Sequence, residues 1–174
     1  MTSEKIQIKL FTRGSVNTVD YVPVFQRWIR EHVLGELLID VVDYSHVFDG
    51  PEVALIGHEA DYILDRTGGR LGLLYANKRA SADGGNPFRA ALDRATHACK
   101  LLESESGVPP ITFDTRELQI RICDRLNAPN TDETFRRVEP LVREALTQAY
   151  GTAPVTFMRT GSPRDLFAID ARMH

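Results

Sequence analysis

Apolar and polar residues alternate along the first segment of the chain. Ile6, Ile8 and Leu10 are separated by single polar residues, a period of two that places one face of a β-strand against a core and the other in water. After the turn RGSVNT, apolar residues recur every three or four positions, which is the period of an amphipathic helix. This helix is expected to end near Gly35, because glycine readily adopts the left-handed conformation that closes a helix.

The two periods alternate through the rest of the sequence. Strands are predicted near residues 36–44, 53–65, 71–78, 111–124, 155–159 and 166–171, and further helices over 88–102 and 132–150. Pro140 is expected to interrupt the last helix, since proline cannot donate the helical hydrogen bond. The pattern therefore predicts three main helices and about seven strands in a chain of 174 residues.

Two stretches of the sequence resemble each other. IQIKLFTRGSVNT begins at Ile6 and LQIRICDRLNAPNT begins at Leu118, and each contains a strand pattern, a turn and an Asn-Thr pair suited to cap a helix. The agreement predicts a strand–helix–strand–strand unit used twice, at about 5–66 and 117–172, joined by a hairpin strand and helix over 71–105. The alternative is a chance agreement between two ordinary strand–turn–helix openings.

The alternation also decides between fold classes. Strands of doubly wound parallel sheets are buried on both faces and apolar throughout, whereas these strands alternate. We therefore expect an α+β fold in a single domain, residues 1–174, with a largely antiparallel sheet, helices on one face and a ferredoxin-like character. The residues expected in its core are Ile8, Leu10, Phe25, Trp28, Ile39, Leu55, Leu92, Ile120, Ile122, Leu141 and Phe157.

Composition is that of an ordinary globular protein. Hydrophobic residues make up 43% of the chain, charged residues 26%, and the formal net charge is −3. The sequence has no basic stripe, which argues against nucleic-acid binding. It also has no signal-peptide pattern and no apolar run of about 18 residues, which argues against secretion and membrane insertion. Cys99 and Cys123 form no CxxC motif and suit a reducing environment, so we expect a cytoplasmic protein.

The segment YSHVFDGPEVALIGHEADY concentrates candidate metal ligands. His46, His58 and Glu59 lie in it beside further acids, and imidazole with carboxylate suits zinc, manganese or iron. In a regular strand His58 and Glu59 point to opposite faces, so a shared divalent metal requires a bulge at Gly57. The alternative is a His58 at the core boundary, hydrogen-bonded to a neighbouring carboxylate or tyrosine.

A second candidate site lies in the glycine-rich segment ANKRASADGGNPF. Lys78 and Arg79 precede the glycines, and Asn86 precedes a helix whose free N–H groups attract anions. These three residues are predicted to bind a small anionic ligand. The alternative is a connector in which Asn86 caps the helix and Pro87 occupies its first turn.

Two arginines occupy matching places in the similar stretches. Arg13 and Arg125 each follow a predicted strand and precede a capped turn. If the two units pair, both side chains are expected to face one groove and bind an acidic ligand. Alternatively, each arginine anchors its own turn by bonding carbonyl groups or a nearby carboxylate such as Asp124.

Several segments resemble a family of uncharacterised bacterial single-domain proteins of similar length. The segments are DVVDYSHVFDGPEVALIGHEADYILD, GRLGLLY and RLNAPNT, and GPEVALIGHEADY is the most distinctive part. The resemblance covers most of the chain and implies a whole single-domain protein. It implies no activity and no catalytic residue.

Motifs for catalysis are absent from the sequence. Neither GxSxG nor HExxH occurs, so no catalytic residue is assigned. We expect a non-catalytic ligand-binding or self-assembling module, a homodimer without a cofactor. The alternative is a hydrolase-like enzyme that uses a divalent metal at the cluster of residues 46–61. A third hypothesis is a binder of phosphorylated metabolites at residues 78–87.

Overall fold

The computed structural model describes residues 5–79, 84–152 and 154–174. Three helices form in it: α1 (Val22–Glu31), α2 (Pro87–Glu103) and α3 (Asp132–Tyr150). The strands are β1 (Ile6–Thr12), β2 (Leu38–Asp43), β3 (Pro51–Gly57), β4 (Ala60–Asp65), β5 (Gly72–Asn77), β6 (Phe113–Ile122), β7 (Val155–Thr160) and β8 (Phe167–Met173).

All eight strands belong to one sheet with the order β2-β3-β4-β5-β1-β6-β8-β7. Every neighbouring pair is antiparallel. Long strands that alternate apolar and polar residues suit this arrangement, because one face packs on a core while the other meets water. The predicted α+β class, with three main helices and an antiparallel sheet, is confirmed.

The two similar stretches form neighbouring strands at the centre of the sheet. Ile8 of β1 lies opposite Ile120 of β6, and Leu10 lies opposite Leu118. Both strands therefore present the same apolar layers to the core. Residues that match in sequence, such as Ile6 and Leu118, lie at opposite ends of this antiparallel pair, because Ile6 faces Ile122.

Strand order does not support the predicted equivalence of residues 5–66 with 117–172. In the second unit β6 pairs with β8, and β7 lies outside β8. In the first unit β1 pairs with β5 and β6, both outside residues 5–66, while β2 and β3 lie at the far edge. The order β4-β5-β1-β6-β8-β7 is symmetric about its centre. Strand β1 corresponds to β6, β5 to β8 and β4 to β7. The β2–β3 hairpin has no counterpart in this correspondence.

The segment predicted as one bent strand over residues 53–65 is a hairpin. β3 ends at Gly57, His58 and Glu59 form the turn, and β4 begins at Ala60. A β-carbon at Gly57 would collide with the Ala60 carbonyl oxygen and with the Glu36 carboxylate. The turn therefore depends on a residue without a side chain, and the sheet has eight strands rather than seven.

Apolar side chains from all three helices and from one face of the sheet form a single hydrophobic core. Of the predicted core residues, Leu141 and Phe157 are only half-buried, and Ile39 is 56% exposed. Ile39 was predicted wrongly because the register of β2 shifts between Leu38 and Asp40, so that Leu38 takes the inward position. The other predicted core residues are buried: Ile8, Leu10, Phe25, Trp28, Leu55, Leu92, Ile120 and Ile122.

Pro140 does not interrupt α3, which runs without a break from Asp132 to Tyr150. The proline side chain is exposed, while Val138 and Val142 on either side of it are buried in the core. Packing on both sides of the proline outweighs the loss of one helical hydrogen bond. Among the described residues, no helix is long and apolar enough to cross a membrane.

Candidate functional site

A cavity of about 340 Å³ lies on the side of the sheet opposite the helices, which we call the open face. It is bounded by β6, by β8 and by the turn that joins β7 to β8. The residues that line it are Gln119, Arg121, Arg125, Thr160, Gly161, Asp165, Leu166 and Ala168. We call it the arginine pocket.

The pairing of β6 with β8 places Arg121 in the arginine pocket opposite a small side chain. Arg121 alternates with the buried Ile120 and Ile122, so its side chain lies on the open face. Its partner across β8 is Ala168, whose small side chain leaves room beside the guanidinium. Arg121 Nε donates a hydrogen bond of 2.8 Å to Gln119, which orients the guanidinium along the strand.

A buried asparagine in the loop before α3 is hydrogen-bonded to the turn that joins β7 to β8. Asn130 is 1% exposed, and its side-chain amide donates hydrogen bonds to the carbonyl oxygens of Thr160 (2.8 Å) and Ser162 (3.0 Å). Gly161 between them has a φ of +83°, a conformation that favours glycine. The walls of the pocket are therefore fixed by internal bonds before any ligand arrives.

The arginine pocket carries a net positive charge. Within residues 5–79, 84–152 and 154–174, neither Arg121 nor Arg125 forms an ion pair. Asp165 is the one acidic residue in the lining. Its pKa is lowered by hydrogen bonds from Ser162 and by the charge of Arg125, so it is ionised at neutral pH. Two cations thus face a single anion.

A second polar cluster lies on the helix side of the sheet, under the turn between β3 and β4. Glu36 accepts hydrogen bonds of 3.2 Å from the Tyr62 hydroxyl and from Arg94 Nη1, both at Oε2. Arg94 Nη1 also donates to Glu59, at 3.0 Å. A cavity of about 140 Å³ adjoins the cluster and is lined by Leu34, Gly35, Glu36, Glu59, Tyr62, Arg94 and His97. We call it the Glu36 pocket.

Burial perturbs the ionisation of this cluster. Burial raises the pKa of Glu36, while the Tyr62 hydrogen bond and the charge of Arg94 oppose the rise. Burial, reinforced by the charge of Glu36, also raises the pKa of Tyr62, which stays protonated and acts as a donor. The hydrogen bond to Glu59 raises the pKa of Arg94. The cluster therefore contains one permanent cation and two carboxyl groups.

The structure separates the two histidines proposed as metal ligands. His46 lies in the loop before β3, and His58 follows the last residue of that strand. Since β3 has seven residues, its ends are roughly 20 Å apart at about 3.3 Å per residue. Both histidines are exposed, and the backbone N–H of His58 donates to the Leu37 carbonyl oxygen. One ion cannot contact both.

Glu59, the third proposed ligand, is paired with Arg94 instead. In the part of the chain that the structure describes, no group of three or more His, Cys, Asp or Glu side chains is placed to hold a metal ion. The geometry therefore gives the metal hypothesis no support at residues 46–61, and a divalent metal stays a prediction from the sequence.

The proposed anion ligands near the glycine-rich segment have structural partners. Lys78 Nζ lies 2.8 Å from Asp61 and donates to the Gly57 carbonyl oxygen. Asn86 caps α2 by accepting the Phe88 N–H at 3.0 Å, and Arg79 is exposed. Residues 80–83 lie outside the described residues, so the geometry of the whole segment stays untested. The alternative that Asn86 caps the helix is confirmed.

Arg13 and Arg125 do not share a groove. Because β1 and β6 are antiparallel, Arg125 follows the end of β6 beside the start of β1. Arg13 lies at the other end of the pair, where its N–H donates to Thr112. Arg125 belongs to the arginine pocket together with Arg121, a residue that the sequence analysis did not select. The alternation of Gln119 and Arg121 on β6 was the available signal.

Both cysteine side chains are poor nucleophiles. Burial raises the pKa of Cys99 well above its ordinary value and also raises the pKa of the half-buried Cys123. A thiol needs a lowered pKa to react at neutral pH.

The fold and the two pockets define the chain as an α+β protein with a one-sided antiparallel sheet. A scan against known protein families finds no matching family, and a search among curated proteins finds no significant relative. These searches do not test the resemblance to uncharacterised bacterial proteins, which stays a prediction.

Proposed function

We propose that this protein is a binding module for a small anionic ligand and that the arginine pocket is its site. The observation that supports the proposal is the pair Arg121 and Arg125, two guanidinium groups that line one cavity and form no ion pair within the described residues. Guanidinium groups match carboxylate and phosphate oxygens with parallel hydrogen bonds. The cavity, at about 340 Å³, falls at the lower end of the range for small-ligand sites, roughly 300–1,000 Å³.

The lining also explains how one ligand would be preferred over another. Leu166 and Ala168 supply an apolar wall, and Thr160 and Gln119 supply hydrogen-bonding groups. Asp165 disfavours anions with more than two negative charges, because its ionised carboxylate faces the same cavity. A monocarboxylate or phosphate monoester with a short apolar part fits this set of groups.

Isothermal titration with inorganic phosphate and with lactate tests the proposal. Arg121→Gln and Arg125→Gln each remove one charge-assisted hydrogen bond, so affinity should fall about tenfold or more. Arg30→Gln is the matched control, because Arg30 is exposed on α1, in the helix layer. Equal affinities in all three variants, or no saturable binding to the native protein, would refute the proposal.

We further propose that the protein forms a homodimer through the open face. The half of this face formed by β2 to β5 presents half-buried apolar side chains that none of the three described helices covers: Val42, Ile56, Ile63, Leu74 and Ala76. Charged and polar residues of β6 and β8 border them. An apolar centre with a polar rim is the usual composition of a protein interface.

The apolar half of the open face can pack on a second copy of the chain without covering the arginine pocket, which lies at β6 and β8. Its four strands, spaced about 4.8 Å apart and about six residues long, cover roughly 380 Å². An interface of this size belongs to the small, weakly associating class. A strand from another chain is disfavoured at the β2 edge, because the outward N–H of Val41 already donates a hydrogen bond to the Asp40 side chain. Face-to-face packing is therefore favoured over pairing at the β2 edge.

Sedimentation velocity tests the homodimer. Ile63→Glu places a charge in the apolar half of the face and should shift the protein to a monomer. Leu126→Glu is the control, since Leu126 is 89% exposed in a loop outside the strands of this face. A native protein that sediments as a monomer at all concentrations would contradict the proposal, and so would a dimer that Ile63→Glu leaves intact.

A further inference from the structure

The arginine pocket contains a carboxylate that pairs with neither of its two arginines. Asp165 lines the same cavity as Arg121 and Arg125. In the part of the chain that the structure describes, no ion pair involves Asp165. Its negative charge therefore weakens the binding of a simple anion, whereas a ligand that also carries a positive charge can pair with it.

The fold holds this carboxylate in place at the cavity. The Ser162 N–H donates a hydrogen bond of 2.7 Å to Asp165 Oδ2, and the Asp165 N–H donates to the Ser162 carbonyl oxygen at 3.0 Å. A β-carbon at Gly161 would lie 3.1 Å from the same Oδ2, so the missing side chain there admits the carboxylate. An ionised carboxylate has about four lone-pair sites, and the bonds from Ser162 leave others for a ligand.

Charge balance indicates which groups the ligand carries. Arg121 and Arg125 contribute two positive charges to the cavity, and Asp165 contributes one negative charge. A phosphate monoester carries about −1.5 to −2 charges at pH 7, so with one ammonium group its net charge is about −0.5 to −1. This matches the single positive charge of the pocket. A carboxylate joined to an ammonium group is neutral and leaves that charge unbalanced.

The cavity also has the size and the apolar surface for such a ligand. Its volume of about 340 Å³ corresponds to roughly eleven water molecules at about 30 Å³ each. A phosphate group, a short alkyl chain and an ammonium group fit in this space together. Leu166 follows Asp165 in the chain and lines the same cavity, so it offers apolar surface beside the carboxylate.

We infer that the ligand of the arginine pocket is an aminoalkyl phosphate, a phosphate monoester with a primary ammonium group on a short alkyl chain. Arg121 and Arg125 bind the phosphate oxygens with charge-assisted hydrogen bonds. The alkyl chain packs on Leu166, and the ammonium group donates to the Asp165 carboxylate. The inference rests on the proposed function, because the two arginines must bind the anionic end of the ligand.

A matched set of ligands separates the two ends of the molecule. Phosphoethanolamine carries both charged groups, and n-propyl phosphate has a methyl group in place of the ammonium group. Phosphocholine keeps the positive charge but has no N–H donor, and inorganic phosphate tests the anion site alone. Backbone amide chemical shifts of the native protein, with Gly161 and Ser162 as reporters, give the dissociation constant of each ligand.

The native protein should prefer the ligand with the ammonium group. Phosphoethanolamine is expected to bind about two- to fivefold more tightly than n-propyl phosphate, which is the range for an exposed charge pair. Phosphocholine should bind more weakly than phosphoethanolamine, because its methyl groups replace the N–H donors and keep the charge away from the carboxylate.

Three variants assign the preference to its residues. Asp165→Asn keeps the size of the side chain and an acceptor for Ser162 but removes the charge, so the preference for phosphoethanolamine over n-propyl phosphate should disappear. Asp93→Asn is the matched control, since Asp93 pairs with Arg89 on α2 in the helix layer, and it should keep the native preference. Arg121→Gln should weaken both ligands by similar factors, because it acts on the phosphate end.

The outcomes distinguish this inference from the proposed function. Equal affinities for phosphoethanolamine and n-propyl phosphate, both weakened by Arg121→Gln, would overturn the inference and leave the anion site intact. A preference that persists in Asp165→Asn would also overturn it, and would limit Asp165 to a structural role in its turn. If Asp165→Asn does not fold, equal affinities of the native protein for phosphoethanolamine and phosphocholine would overturn the inference. An absence of saturable binding of every ligand, inorganic phosphate included, would refute the inference and the proposed function together.

Discussion

The ion pair between Lys9 and Asp65 offers the sharpest test of the sheet. Lys9 Nζ lies 2.8 Å from Asp65 Oδ2, and the two side chains are 3% and 5% exposed. Lys9 belongs to the central strand β1, and Asp65 ends β4. Asp65 also accepts a 2.8 Å hydrogen bond from the Thr67 hydroxyl. Asp65→Asn keeps the shape and that hydrogen bond but leaves a buried ammonium group without its counter-charge.

We expect this substitution to lower the free energy of unfolding by about 3–5 kcal/mol, the usual cost of breaking a buried pair. For a chain of this length, about 2–4 °C of melting temperature is lost per kcal/mol, so the melting temperature should fall by roughly 6–20 °C. Trp28 is the single tryptophan and is fully buried, so its fluorescence reports urea unfolding directly. Asp93→Asn breaks the exposed pair with Arg89 and should cost no more than about 0.5 kcal/mol.

Two further measurements identify the cause. Adding Lys9→Met to Asp65→Asn removes the isolated charge, so the double variant should be more stable than Asp65→Asn alone. Burial lowers the pKa of Lys9, and Asp65 opposes this through its hydrogen bond and its charge. In Asp65→Asn the folded pKa of Lys9 should therefore fall further below the unfolded value, which is about 10.4.

The sign of the pH dependence follows from proton binding. Between the lowered folded pKa of Lys9 and its unfolded value, the unfolded chain binds more protons, so stability rises with pH in that window. Asp65→Asn should recover part of its lost stability there, relative to Asp93→Asn. If Asp65→Asn costs no more than Asp93→Asn, or if Lys9→Met restores nothing, Lys9 reaches water in solution and the reasoning is refuted.

Three other outcomes are expected. Trp28→Ala should cost about 3–5 kcal/mol in urea unfolding followed by circular dichroism, because the side chain is fully buried; an unchanged midpoint would place Trp28 at the surface. Thr131→Ala should cost about 1 kcal/mol, because Thr131 accepts the Thr134 N–H at the start of α3; a native melting temperature would contradict the cap. Protein purified without an affinity tag should show no stoichiometric zinc, iron or manganese and no change in melting temperature with chelator, since His46 and His58 are far apart; a bound metal would revive the metal hypothesis.

Local patterns in the sequence were enough to determine the elements and their faces. The alternation from Ile6 to Leu10 predicted the side of β1 that faces the core, and these residues are buried there. The opposite side is not in water as predicted, because Lys9 is 3% exposed in its ion pair with Asp65. Helical spacing predicted α3 over its observed length, and Asn86 was identified as an alternative cap of α2. These features depend on residues a few positions apart, whose relative geometry is set by the backbone period.

Residues of the two pockets could be predicted only in part. Arg125 and Glu59 were selected, but each for a different site, and their neighbours Arg121, Arg94 and Glu36 were not. Arg94 and Glu36 are 58 positions apart in the sequence and meet because α2 packs on the helix side of β1 and β5. No periodic pattern relates side chains at that separation, so the sequence alone could not predict that these groups lie close together.

Strand order and the β3–β4 turn were decided by tertiary structure. His58 and Glu59 are not typical turn residues, so the sequence suggested one long strand. The hairpin forms because β4 completes the packing of β3 and β5, and Gly57 admits the Ala60 carbonyl oxygen and the Glu36 carboxylate. Sequence period determines which face of each strand is buried. Which strands become neighbours depends on the packing free energy of the whole sheet, and that is a sum over contacts between distant residues.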